Sequence, residues 1–184
     1  AIRDWIDTHC DATEHETNIM QLIRQFVVHE SCLKRMEYDI DGTHYIQSFG
    51  ELIVDEDIEL EGDTVIEALS IINNASITTK RTASITARAY RIENHREIIA
   101  RGEHFDPMFC LQPARRDAGD IVVETHELQQ ASGSRIESVG GLGEKTKYGE
   151  IPDGHKGTVR INSDPQVSLN IAWPQMLNTD LETQ

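Results

Sequence analysis

The sequence predicts an all-β fold, and three observations carry that expectation. Short runs rich in Ile, Val and Thr recur at spacings near ten residues, separated by Gly, Asp and Asn clusters. Between Asp63 and Leu111 the chain reads TVIEALSII, SITARAYRI, REIIARG and HFDPMFCL, a series of consecutive strands. Near the end, Val167, Leu169, Ile171 and Trp173 share one face of VSLNIAW while Ser168, Asn170 and Ala172 take the other. With few helical patterns, the expected architecture is a single jelly-roll β-sandwich of about eight strands with a short N-terminal arm or helix.

A chain of 184 residues is read as one domain. Its parts are an arm (1–18), a β core (19–131 and 158–174), a glycine-rich excursion (132–157) and a tail (175–184). The arm is polar and rich in His, Asp and Glu, with Trp5 and Ile6 as its apolar pair. Residues 19–36 place Ile19, Ile23, Phe26 and Val27 at helical spacing, yet Phe26-Val27-Val28 is strand-like, so helix and strand both stay open. Asp41-Gly42 is the strongest local hairpin signal. HYIQSFGELIV follows as one strand, with Gly50 as a possible bulge. Ile58 and Leu60 then alternate with Asp57, Glu59 and Glu61, the pattern of a half-exposed strand before a turn at Glu61-Gly62-Asp63.

Asn94-His95, flanked by Ile92 and Ile98-Ile99, has the layout of a second tight hairpin. QPARRDAG (112–119) is a loop carrying Arg115 and Arg116, and Ile121 to Leu128 is a strand. The window 132–157 holds seven of the twelve glycines, with a short strand expected at Arg135 to Val139. TVRIN, the Asp164-Pro165 turn and VSLNIAW close the fold, ended by Pro174.

Charge narrows the function. Thirty-two acids against 17 bases give −15, and Arg outnumbers Lys twelve to five. Such a surface repels phosphate, so direct nucleic-acid binding is not expected. One reading is an ordinary acidic protein. The other is a halophilic one, since at 1 M salt a Debye length of about 3 Å screens repulsion among surface carboxylates. Cys10, Cys32 and Cys110 are odd in number and widely spaced, which suits reduced structural thiols rather than a disulfide framework. The opening AIRDWIDTHCD is acidic, unlike a signal peptide, and the apolar runs are too short for a transmembrane span.

No catalytic, cofactor or metal constellation emerges. His9, Cys10, His15 and Glu16 match no standard zinc spacing. His44, His95, His104, His126 and His155 contain no His-x-His pair of the cupin type. GGLGEKTKYG lacks the spacing of a phosphate loop, so Gly140, Gly141 and Gly143 read as flexibility in a long loop. Cys110 sits in MFCL as a buried thiol, and His104 with Asp106-Pro107 reads as a turn at a strand end.

The acidic, Lys-poor surface, the strand series from Tyr45 to Leu128, the glycine-rich excursion and the closing VSLNIAWP together resemble a capsid-forming jelly roll. The family is the smaller major capsid protein of icosahedral, internal-membrane viruses of halophilic archaea. The resemblance implies a structural subunit of a virion capsid, pairing with itself and with a second capsid protein beside a lipid membrane it does not span. Termini and long loops would make those contacts, through Trp5, Arg115, Arg116, Tyr148, Trp173 and Leu177. Two alternatives stand beside it. SITARAYRIENHREIIARG also looks like the sheet of a hot-dog thioesterase or dehydratase wrapping residues 19–36, with His29 and Glu30 as candidate catalytic groups. A soluble ligand-binding β-barrel is the other.

Overall fold

The computed structural model describes residues 35–108, 112–163 and Leu169. The expectations for the N-terminal arm, for residues 19–34, for the Asp164-Pro165 turn, for VSLNIAW apart from Leu169 and for the tail 175–184 fall outside that range, as do Trp5, His29, Glu30, Cys110, Trp173 and Leu177. Within it the chain is nearly all β. The strands are β1 (Met36–Ile40), β2 (Thr43–Gln47), β3 (Glu51–Val54), β4 (Ile58–Leu60), β5 (Thr64–Glu67), β6 (Ser70–Asn73) and β7 (Ser76–Lys80). They continue as β8 (Ile85–Asn94), β9 (Glu97–Arg101), β10 (Ile121–Gln130), β11 (Arg135–Val139), β12 (Glu144–Thr146), β13 (Gly149–Ile151) and β14 (Val159–Ser163).

The all-β class is as expected, and two large sheets enclose one core. One runs β1-β2-β5-β8-β10-β14 with β3 and β6 alongside, and the other runs β11-β9-β7-β4. Their pairing corrects the jelly-roll expectation. Apart from β1–β2 and β12–β13, every ladder is parallel, whereas a jelly roll is built of antiparallel strands. Partners are one coil apart in sequence: His44 with Thr64, Thr64 with Ile85, Ile58 with Ile77 and Ile77 with Ile98. The chain therefore winds as a solenoid, each coil laying its strands on those of the coil before.

Stacking like on like explains the winding. Inward positions form columns that run along the solenoid: Ile46, Ile66, Ala87 and Val123; Leu52, Ile71, Ile92 and Leu128; Ile58, Ile77, Ile98 and Ile136. A lone coil cannot bury its apolar side, but the column does. Ile77, Ile85, Ile92 and Ile98 are all at most 2% exposed. Each buried Ile contributes about 1.5–3 kcal/mol relative to an exposed one.

The strands bend where the sequence reading ran them straight. HYIQSFGELIV divides into β2 and β3 at Ser48-Phe49-Gly50, and TVIEALSII divides into β5 and β6 at Ala68-Leu69. The small inward residues Ser48, Ala68 and Ala89 stack at that corner, all buried, which lets the coil turn without a void. Strand β7, in SITTK, was missed because its Thr-Thr-Lys half looks like a turn. HFDPMFCL yields no strand over its described residues.

The two hairpin expectations divide as well. Asp41 and Gly42 both hold positive φ (51° and 81°), and β1 and β2 pair antiparallel across them. At Asn94-His95 neither residue has positive φ, and β8 and β9 lie in different sheets. Asn94 is instead fully buried, its side chain accepting from Asn73 Nδ2 at 2.9 Å and donating to the Arg135 carbonyl at 3.2 Å. What reads as a turn is a corner whose amides stack from coil to coil.

Candidate functional site: paired excursions and an open end

The coil is interrupted twice at one corner. The spacing between stacked partners rises from about twenty residues to nearly twice that where Ile98 meets Ile136 and Ile121 meets Val159. Residues 102–120 and 140–158 supply the difference. Both segments open on glycine (Gly102, Gly140) and both return through a glycine next to the last residue (Gly119, Gly157). The excursion expected over 132–157 therefore begins later, because β11 belongs to the core sheet, and it has an equal partner one coil earlier.

The two excursions are bound to each other through the backbone. Gly141 N–H donates to Arg116 O, Phe105 N–H to Leu142 O and Ala118 N–H to His155 O. The legs lie so close that side chains are excluded. A Cβ at Gly141 would stand 1.8 Å from Glu103 O, and one at Gly154 the same distance from Arg116 O. These glycines permit contact between backbones, so flexibility is the wrong reading of Gly140, Gly141 and Gly143.

Polar side chains lock the lobe. Arg81 and Arg115 each donate through Nε to Glu103, at 2.9 and 3.0 Å. Arg116 is buried and donates from Nε to Pro152 O. Asp117 Oδ1 accepts the His155 backbone N–H at 2.8 Å and lies 3.1 Å from its Nδ1. The backbone hydrogen bond from His155 is the main cause holding the Asp117 carboxyl below its ordinary range, opposed by desolvation. Asp106 Oδ1 accepts Met108 N–H within a turn, whereas His104 Nδ1 accepts Leu142 N–H at 3.0 Å from the other excursion.

The expected contact residues separate accordingly. Arg115 pairs with Glu103 inside the first excursion, and Arg116 bridges to the second through Pro152 O. Tyr148 stands 88% exposed at the β12–β13 tip, with Lys147 Nζ 4.9 Å from its ring centroid. Leu142 and Met108 on the same lobe are also exposed. Among the described residues no cluster of His, Cys, Asp and Glu is arranged to hold a metal ion, and no helix is long and apolar enough to cross a membrane.

Beside the lobe lies the end of the stack. Strands β14 and β11 are the last of their sheets among the described residues. Every position of β14 is exposed, including Val159 (38%) and Ile161 (44%), whose counterparts one coil back, Ile121 and Val123, are fully buried. An open groove of about 670 Å³ runs here, lined by Ile136, Val139, Gly154, Lys156 and Val159 among others. Among the described residues it is a strand edge without a further partner strand, its groove lined by both apolar and polar groups, and such edges are how one chain adds to another. Sequence reasoning missed it, because Val159 and Ile161 look like core until the coil that should cover them is sought. No protein-family model matches the chain, and neither the curated proteins nor the solved structures gave a match.

Proposed function

We propose that this chain is a structural protein that works by associating with copies of itself and with a second protein, the kind of subunit from which a virion is built. The observation that carries this reading is the coil end at β14 and β11, the last strands of their sheets among the described residues, where Val159 and Ile161 are exposed. Monomeric solenoids ordinarily close such ends with a polar cap. The excursion lobe adds a second contact region through Tyr148, Leu142 and Met108. Arg116 and Asp117 are occupied in joining one excursion to the other, which favours a holding role for the lobe.

The charge of −15 sets the conditions for assembly. Copies repel at low ionic strength, and screening lets apolar edges meet. Sedimentation velocity and negative-stain microscopy of concentrated protein test this. The expected result is regular oligomers in molar salt that dissociate in tens of millimolar. A monomer under both conditions would overturn the proposal.

A further inference from the structure

The open end need not await an unrelated partner, because the opposite end of the same solenoid complements it. Residues 36–63, which make β1 to β4 and the first coil, carry ten acids and no Lys or Arg. Asp55, Glu56, Asp57, Glu59, Glu61 and Asp63 are all exposed there. Residues 135–163, which make β11 to β14 and the second excursion, carry five bases and four acids, and hold three of the five lysines. The solenoid is thus strongly polarised along its axis. Its acidic end also presents strand edges: β4 is the terminal strand of one sheet and β1 of the other.

We infer that the β14/β11 end of one copy docks on the β1/β4 end of the next, head to tail. In that arrangement the first sheets of the two copies join edge to edge, because β14 and β1 each lie one layer beyond β11 and β4 in the stack. Strand β14 meets β1 antiparallel, since β1 runs opposite to β2. Val159 and Ile161 are covered. Lys145, Lys147 and Lys156 face the neighbour's acids rather than its bases. The contact is heterologous, with different surfaces on the two copies, so it propagates into a filament unless something stops it. The inference rests on the structural-subunit reading and specifies the geometry of that association.

Charge reversal at each end tests it. One variant carries Lys145→Glu, Lys147→Glu and Lys156→Glu. The other carries Asp55→Lys, Glu56→Lys and Glu61→Lys. All six side chains are solvent-facing, and thermal melts confirm that each variant is folded. Either variant alone is expected to self-associate at least about tenfold more weakly than the unaltered chain by sedimentation equilibrium. An equimolar mixture is expected to regain association, because each variant's altered end then meets its complement. If only the lysine variant loses association, two like ends meet and the head-to-tail geometry is wrong. If neither loses it, the contact lies on another face, and the inference fails while the structural reading stands. If the unaltered chain is monomeric in molar salt, the end is closed within one chain and both fail.

Discussion

The stacked amides at the corner between β8 and β9 give the sharpest test of the solenoid. Asn73 and Asn94 are both fully buried. Asn73 Nδ2 donates to Asn94 Oδ1 at 2.9 Å and to Glu97 O at 3.1 Å, while Asn94 Nδ2 donates to Arg135 O at 3.2 Å. Replacing Asn94 by Ala leaves one Asn73 N–H buried without that acceptor, at a cost of about 1–3 kcal/mol. The Arg135 carbonyl adds less, because Arg135 is exposed and water can replace the lost donor. With the small void included, the expected loss is about 2–3 kcal/mol, or a fall in Tm of roughly 5–10 °C for a chain this long. Urea unfolding of Asn94→Ala, Asn73→Ala and the double variant measures it. The two positions should couple by roughly 1 kcal/mol or more, because they share a bond. In a β8–β9 hairpin Asn94 would sit in a solvated turn, and its replacement would cost under about 0.5 kcal/mol. A loss that small, or strict additivity of the two substitutions, would refute the stacked-coil account.

Two further outcomes follow from the lobe. Gly154→Ala should open the paired excursions, since its Cβ would overlap Arg116 O, and limited proteolysis should then cut within 102–120 or 140–158. Gly133→Ala is the control: at φ +81° with nothing within 4 Å, it should cost about 1–2 kcal/mol of backbone strain and leave the lobe closed. The second outcome is acid sensitivity. Asp117 is held below its ordinary range by the His155 N–H, so its contribution is present above the unfolded carboxylate pKa and is lost as pH falls through the folded value. Hydrogen exchange at the His155 amide should therefore stay slow from neutral pH down to about 4, the ordinary carboxylate range, and accelerate in more acid solution. Asp117→Asn should remove that transition, and protection that ignores pH in the unaltered chain would count against the bond.

The sequence alone determined the all-β class, the Asp41-Gly42 hairpin and the limits of β11, because these depend on neighbours only a few residues apart. Alternation and turn chemistry are local signals and could be read directly. They say nothing about which strand lies beside which. Ile77 is equally apolar whether its neighbour is reached by a hairpin or by a full coil, so the parallel winding was decided by columns of like residues at about twenty-residue spacing. The lobe shows the same division. Its glycines were visible, but their purpose depends on the carbonyls of Glu103 and Arg116 brought against them from distant positions. The end at Val159 and Ile161 is the clearest case. The sequence made those residues apolar, and only the tertiary structure left them uncovered, because burial is a property of what packs on a side chain and not of the side chain itself.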